Sequence, residues 1–84
     1  MFEVVLSAHA EVVIKERSIR REWVERVLEK PEKTEPDGAD PQVTHALGRI
    51  PEYGNRVLRV IYNRGTDPVT VVTAYFDRAM RDKL

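Results

Sequence analysis

Two segments rich in β-branched and aromatic residues, separated by only five residues, constrain this fold more than any other feature. The segments are 56–63 (RVLRVIYN) and 69–76 (VTVVTAYF), and the intervening 64–68 (RGTDP) has the composition of a turn. So short a connection joins antiparallel neighbours, because parallel strands need a crossover of a dozen or more residues. We therefore predict a β-hairpin over 56–76. A third strand is expected at 43–50, followed by a turn at 51–55.

Alternation along this hairpin predicts which side chains face the helices. The register that best separates apolar from polar residues gives a helix-facing set of Leu58, Val60, Tyr62, Val72, Ala74 and Phe76. Arg59, Thr73 and Tyr75 then share the second face, where a guanidinium, a hydroxyl and a phenol suit an anion. The alternative interpretation is ordinary cross-strand pairing on a half-exposed sheet.

The N-terminal part of the chain predicts one short strand and two helices. Residues 2–6 (FEVVL) form an apolar run, and Ser7 is a good N-cap for a helix from about 8 to 17. A second helix is expected over 20–30, because its apolar residues form one stripe and Pro31 follows it. The order β-α-α-β-β-β predicts an α+β fold, with two helices packed on a mainly antiparallel four-stranded sheet.

The length of 84 residues predicts a single domain, 1–84, with a proline-rich acidic loop at 31–42 and a polar tail at 77–84. The chain has no cysteine, no apolar run long enough to span a membrane and no signal-peptide pattern, so we expect a cytoplasmic protein. Its net charge is zero, unlike that of most nucleic-acid-binding domains. Residues 49–64, however, concentrate Arg49, Arg56, Arg59 and Arg64 against Glu52 alone, which predicts a local basic patch.

The first helix carries two candidate functional residues, His9 and Arg17. A helical projection places Arg17 on the same arc as the apolar residues and His9 at the margin of that arc, so both are expected to turn toward the protein. Histidine suits general acid–base catalysis near neutral pH, and arginine suits binding of a phosphate. The alternative is structural: a partly buried histidine and an arginine that bonds backbone carbonyls at the corner between the helices.

The pattern SAHAEVVIKERSI…VERVLEKPEK…GNRVLRVIYN…VTVVTAYF resembles the family called domain of unknown function 4258 over nearly the whole chain. The shared features are His9 with Ala10, the corner of Arg17 and Ile19, and the final strand pair. Members often have arginine four residues after the histidine, where this chain has Val13, and glycine after the corner arginine, where it has Ser18. That family is likened to metal-independent ribonuclease toxins of the RelE and barnase type.

The resemblance implies cleavage of RNA, in which the substrate's 2′-hydroxyl attacks the adjacent phosphate. His9 would act as base or acid, and Arg17 or Arg59 as the stabilising cation. Tyr75 would position the phosphate or stack on a base. We expect no cofactor and no metal, and as partners RNA and a cognate antitoxin or another protein.

Four further residues complete this interpretation. Thr73, Arg56 and Arg49 are candidate substrate-binding residues, and His45 is interpreted as structural or exposed. The runner-up hypothesis is a non-catalytic interaction or regulatory module on the same fold, with a possible homodimer through a sheet edge. Binding to duplex DNA is disfavoured because the second helix turns acidic residues outward.

Overall fold

The computed structural model describes residues 3–84, which form two helices and a five-stranded sheet. The elements are β1 (Val4–Leu6), α1 (Ala8–Glu16), α2 (Arg21–Glu29), β2 (Lys33–Pro36), β3 (Val43–Ile50), β4 (Arg56–Asn63) and β5 (Val69–Phe76). The strand order is β1-β5-β4-β3-β2, with β1 parallel to β5 and all other pairs antiparallel. The predicted α+β class, helices and hairpin are confirmed. Residue 2 of the predicted first strand lies outside the described residues.

The prediction of four strands and of an irregular loop over 31–42 is wrong in part, because residues 33–36 pair with β3. The segment gives no clear strand signal in the sequence, since it is charged and ends in proline. An edge strand tolerates this composition, because one of its sides forms no ladder hydrogen bonds. Only residues 37–42 make the turn into β3, where the Asp37 carboxylate accepts the backbone N–H groups of Ala39 and Asp40.

The main core lies between the two helices and one face of the sheet. From the helices it takes chiefly Ala10, Val13, Ile14, Trp23, Val24, Val27 and Leu28, and from the sheet Ala46, Ile50, Leu58, Val60, Val71 and Ala74. The apolar stripe of α2 therefore packs as its spacing predicts. Gly48 allows this close approach, since a Cβ there would lie 3.2 Å from a methyl group of Val27.

A β-bulge changes the register predicted for the hairpin. Leu58 pairs with Phe76 and Val60 with Ala74, as expected, but the ladder shifts after Ile61 so that Tyr62 pairs with Val71. Val72 is the extra residue and is exposed, whereas Val71 takes its expected place in the core. The placement of Val72 among the helix-facing residues is thus wrong, because strict alternation does not survive a bulge.

The C-terminal residues are packed rather than free. A 3-10 turn at Arg78–Met80 begins at Asp77, whose carboxylate accepts the backbone N–H of Ala79. Met80 and Leu84 then pack against Leu47 and Val57 on the second face of the sheet, forming a small second core. The prediction of a polar tail missed this, because two large apolar residues in eight do not reveal a buried contact.

The junction between the helices is a Schellman motif built on a serine. The N–H of Ile19 donates to the carbonyl of Ile14, and the N–H of Ser18 donates to that of Lys15. Ser18 therefore adopts a left-handed conformation with φ of 55°, which glycine adopts without strain. The family resemblance leads us to expect glycine at this position, and the left-handed conformation of Ser18 explains that preference.

Candidate functional site

The second face of the sheet carries a buried arginine, Arg59, in a cluster of polar side chains. Its side chain is 10% exposed. Nε donates to Asp77 Oδ2 at 2.8 Å, and Nη1 donates to Glu35 Oε1 at 2.9 Å. Nη1 also lies 2.9 Å from Nδ1 of His45. Three of the five N–H groups of this guanidinium are thus directed at protein atoms.

His45 links Arg59 to the turn that precedes β3. Its Nε2 lies 2.8 Å from Oδ1 of Asp37. Arginine can only donate, so Nδ1 of His45 accepts from Arg59 and Nε2 carries the proton that is donated to Asp37. With both ring nitrogens engaged, His45 is a structural link between β3, Arg59 and the turn. Of the two interpretations of His45, structural or exposed, this geometry supports the structural one.

The charges of this cluster stabilise one another. The hydrogen bond from Arg59 is the main cause that lowers the pKa of Glu35, and that from His45 is the main cause that lowers the pKa of Asp37. Burial acts to lower the pKa of Arg59, but its hydrogen bonds to Glu35 and Asp77 leave that pKa above its ordinary value. The network therefore holds Arg59 charged and compensates that charge with two carboxylates.

Thr73 and Tyr75 lie on the same face as Arg59, as predicted. Tyr75 is directly opposite Arg59 in the ladder, and Thr73 is opposite Ile61. Both side chains are half-buried, and no side-chain hydrogen bond joins either of them to Arg59. The three groups predicted to hold an anion are therefore neighbours, but the guanidinium among them is already paired with Glu35 and Asp77.

His9 and Arg17 lie on the helix side of the sheet, away from Arg59. Arg17 Nη1 donates to the backbone carbonyl of Ala74 at 2.8 Å, so this arginine fixes the end of α1 to β5. His9 is exposed, which corrects the expectation that it turns toward the protein. The sheet separates both residues from Arg59, and the structure does not bring the four predicted catalytic residues into one site.

A cavity of about 400 Å³ opens at the end of the sheet where β4 begins and β5 ends. We call it the arginine cavity; its lining consists of Arg56, Val57, Phe76, Asp77, Arg78 and Arg81. Among residues 3–84, none of its three arginines forms an ion pair. Three guanidiniums against one carboxylate, Asp77, give the lining a net positive charge, and Val57 and Phe76 add apolar surface.

Aromatic side chains adjoin this cavity. The Arg56 guanidinium carbon lies 4.7 Å from the centre of the Tyr53 ring, a cation–π contact that holds Arg56 at the rim. The Tyr53 ring packs against Phe76 and Trp23, with centroids 5.0 and 5.8 Å away. Gly54, at a φ of 67°, and Asn55, at 57°, make the tight turn that returns the chain to Arg56.

Of the three predicted substrate-binding residues, only Arg56 lines the arginine cavity. Arg49 is paired with Glu32 through Nη2 at 2.9 Å, so its charge is compensated. Thr73 lies further along the second face. The sequence reasoning missed Arg78 and Arg81, although their spacing of three residues in the C-terminal segment was a usable signal. It also missed the link of Arg59 to His45. A turn centred on Tyr53 places Leu47 opposite Arg59, and His45, two residues before Leu47, then lies on the same face of the sheet as Arg59.

Comparison with known proteins identifies a family that this chain matches. The model of the family described as a domain of unknown function (DUF4258) matches residues 6–76. No curated protein and no solved structure matches the chain. Within residues 3–84, no helix combines the length and the apolar character that crossing a membrane requires.

Proposed function

We propose that this chain, which belongs to the DUF4258 family, binds single-stranded RNA through the arginine cavity. One observation carries the proposal: three guanidiniums free of carboxylate partners within the described residues line a single cavity together with two apolar side chains. Guanidinium groups bind phosphate oxygens in bidentate fashion, and neighbouring aromatic rings suit unstacked bases.

The distribution of charge favours a short single strand over a duplex. Most other arginines of the described chain are paired with carboxylates, including Arg21 with Glu25, Arg26 with Glu52 and Arg49 with Glu32. The net charge of zero leaves no extended basic face, and a duplex binder needs many phosphate contacts. A compact cluster of free arginines beside aromatic rings instead suits a few nucleotides.

Cleavage of that RNA remains a prediction from the resemblance to ribonuclease toxins. The lining of the arginine cavity includes one carboxylate and no imidazole. Both oxygens of that carboxylate, on Asp77, accept hydrogen bonds from Arg59 and Ala79. To act as the general base, Asp77 would have to give up one of these hydrogen bonds, or a group outside the cavity lining would have to take the proton of the 2′-hydroxyl. We therefore restrict the proposal to binding.

The test is equilibrium binding of an unstructured RNA decamer, measured at several salt concentrations with a chelator present. We expect Arg56→Ala, Arg78→Ala and Arg81→Ala each to weaken binding by roughly tenfold, the effect of one charge-assisted contact. Each should also lower the slope of log affinity against log salt by ~0.7, the value for one phosphate on a single strand. Electrophoresis of the same samples reports cleavage.

The matched control is Arg64→Ala, which removes the same charge from the β4–β5 loop. Arg64 is exposed and donates to the carbonyl of Pro41, away from the cavity lining. We expect near wild-type affinity for this variant. Equal weakening by Arg64→Ala and Arg78→Ala would overturn the assignment to the cavity, and absence of binding at ~100 μM protein, the weak end of non-specific affinity, would overturn the function.

A further inference from the structure

We propose that the arginine cavity takes a terminal phosphate of the RNA strand rather than a phosphate within it. This inference rests on the function proposed above and specifies its ligand as a phosphomonoester at a strand end. It depends on three features of the cavity: its charge, its size and the way in which its walls are fixed.

The charge of the cavity exceeds that of an internal phosphate. Arg56, Arg78 and Arg81 all line it, and the one carboxylate in the lining, Asp77, is paired with Arg59 at 2.8 Å. A phosphodiester within a strand carries a single negative charge. A phosphomonoester carries about −1.5 to −2 at neutral pH and has three strong acceptor oxygens. Three free guanidiniums therefore match a strand end better than a strand interior.

The size of the cavity also fits one nucleotide rather than a continuous strand. Its volume of about 400 Å³ is near the lower end of the roughly 300–1,000 Å³ that small-molecule pockets span. Val57 and Phe76 are its apolar lining residues, and the Asp77–Arg59 pair borders it on the side of the second face. The terminal nucleotide of an RNA strand can enter such a space, while the rest of the RNA lies outside the cavity, along its edge.

The backbone that carries the cavity walls is anchored before any ligand arrives. Arg56 is held over the Tyr53 ring, and the segment that carries Arg78 and Arg81 is attached to the sheet through Asp77 and through Met80. Anchoring the backbone beneath the three arginines lowers part of the entropy that ordering them on a ligand would otherwise cost. It also favours a ligand whose oxygens meet more than one of these arginines at once, as the three acceptor oxygens of a phosphomonoester can.

The experiment compares three forms of one RNA decamer: 5′-phosphorylated, 3′-phosphorylated, and with hydroxyls at both ends. We expect one phosphorylated form to bind about tenfold more tightly than the hydroxyl form, the effect of one added charge-assisted contact. Arg78→Ala and Arg81→Ala should each remove most of that difference, whereas Arg64→Ala should preserve it. A nucleoside monophosphate should compete more effectively than the same nucleoside.

The outcomes separate this inference from the proposed function. Equal affinity for all three strands would overturn the terminal-phosphate assignment and leave RNA binding intact. Absence of binding to any strand would overturn both. A nucleoside monophosphate that binds as tightly as the phosphorylated decamer would assign the cavity to free nucleotides and would likewise overturn the strand-end assignment.

Discussion

Arg59 Nε donates a 2.8 Å hydrogen bond to Oδ2 of Asp77 and so joins the middle of β4 to the residue that begins the C-terminal 3-10 turn. Both side chains are largely buried, at 10% and 15% exposure. Arg78 and Arg81 follow Asp77 by one and four residues. The Arg59–Asp77 pair therefore helps to determine where two of the three cavity arginines lie. Arg59 is accordingly a positioning residue in our proposal, rather than a group that touches RNA.

Replacing Arg59 by lysine tests this role. Arg59→Lys keeps the charge but loses the planar fork that reaches Asp77, Glu35 and His45 at once. We expect a loss of about 2 kcal/mol in the free energy of unfolding, as for a partly broken buried pair. RNA affinity should fall while its salt slope stays at the wild-type value. A slope lowered as in Arg78→Ala would instead place Arg59 on a phosphate.

The left-handed residue after α1 offers a stabilising substitution. Ser18 holds a φ of 55° in the Schellman motif, a conformation that costs a residue with a Cβ about 1 kcal/mol. We expect Ser18→Gly to raise the free energy of unfolding by about that amount in urea denaturation, or by roughly 4–8 °C in Tm. Ser18→Ala is the matched control and should give no such gain. Equal effects of the two substitutions would contradict this explanation.

The ion pair between α2 and the turn after β3 should be visible in an acid titration. Arg26 holds Glu52 through two hydrogen bonds of 2.8 and 2.6 Å and, as the largest cause, lowers the pKa of Glu52 to about 2. Since the pKa is lower in the folded state, the pair stabilises the protein above the ordinary pKa of 4.5. That stabilisation is lost as the pH falls from about 4.5 through about 2.

The measurement is an NMR titration of the Glu52 carboxyl, in the wild type and in Arg26→Ala. We expect the midpoint to rise toward its ordinary value in the variant. Glu32, whose pKa is lowered chiefly by its hydrogen bond from Arg49, serves as the internal reference in both titrations. A Glu52 midpoint that is the same with and without Arg26 would show that the pair does not persist in solution.

His9 and Arg17 are expected to differ in their effects on stability. Arg17→Ala removes the bond to the carbonyl of Ala74 and should cost about 1–2 kcal/mol in the free energy of unfolding. His9→Ala alters an exposed side chain and should stay within ~0.5 kcal/mol of the wild type. We also expect unchanged RNA affinity for His9→Ala. A large loss of RNA binding or cleavage in that variant would restore His9 as a functional residue.

Local patterns in the sequence determined the elements whose signals lie within a few residues. The stripe of α2, the N-cap at Ser7 and the alternation of β4 and β5 each depend on neighbours close in sequence. The first two predictions are confirmed, and the third is confirmed up to the bulge. The same reasoning placed Arg59, Thr73 and Tyr75 on one face. It failed at Val72, because a bulge depends on the partner strand as much as on the strand itself.

The roles of the candidate site residues were decided only by the tertiary structure. Arg59 meets Glu35, His45 and Asp77, which lie 24, 14 and 18 residues away in the sequence, and these partners turn an apparent anion-binding group into a buried link. The arginine cavity likewise joins the start of β4 to residues after β5. Local periodicity shows which face a side chain takes, but whether its charge is compensated depends on partners that only the folded chain brings within hydrogen-bonding distance.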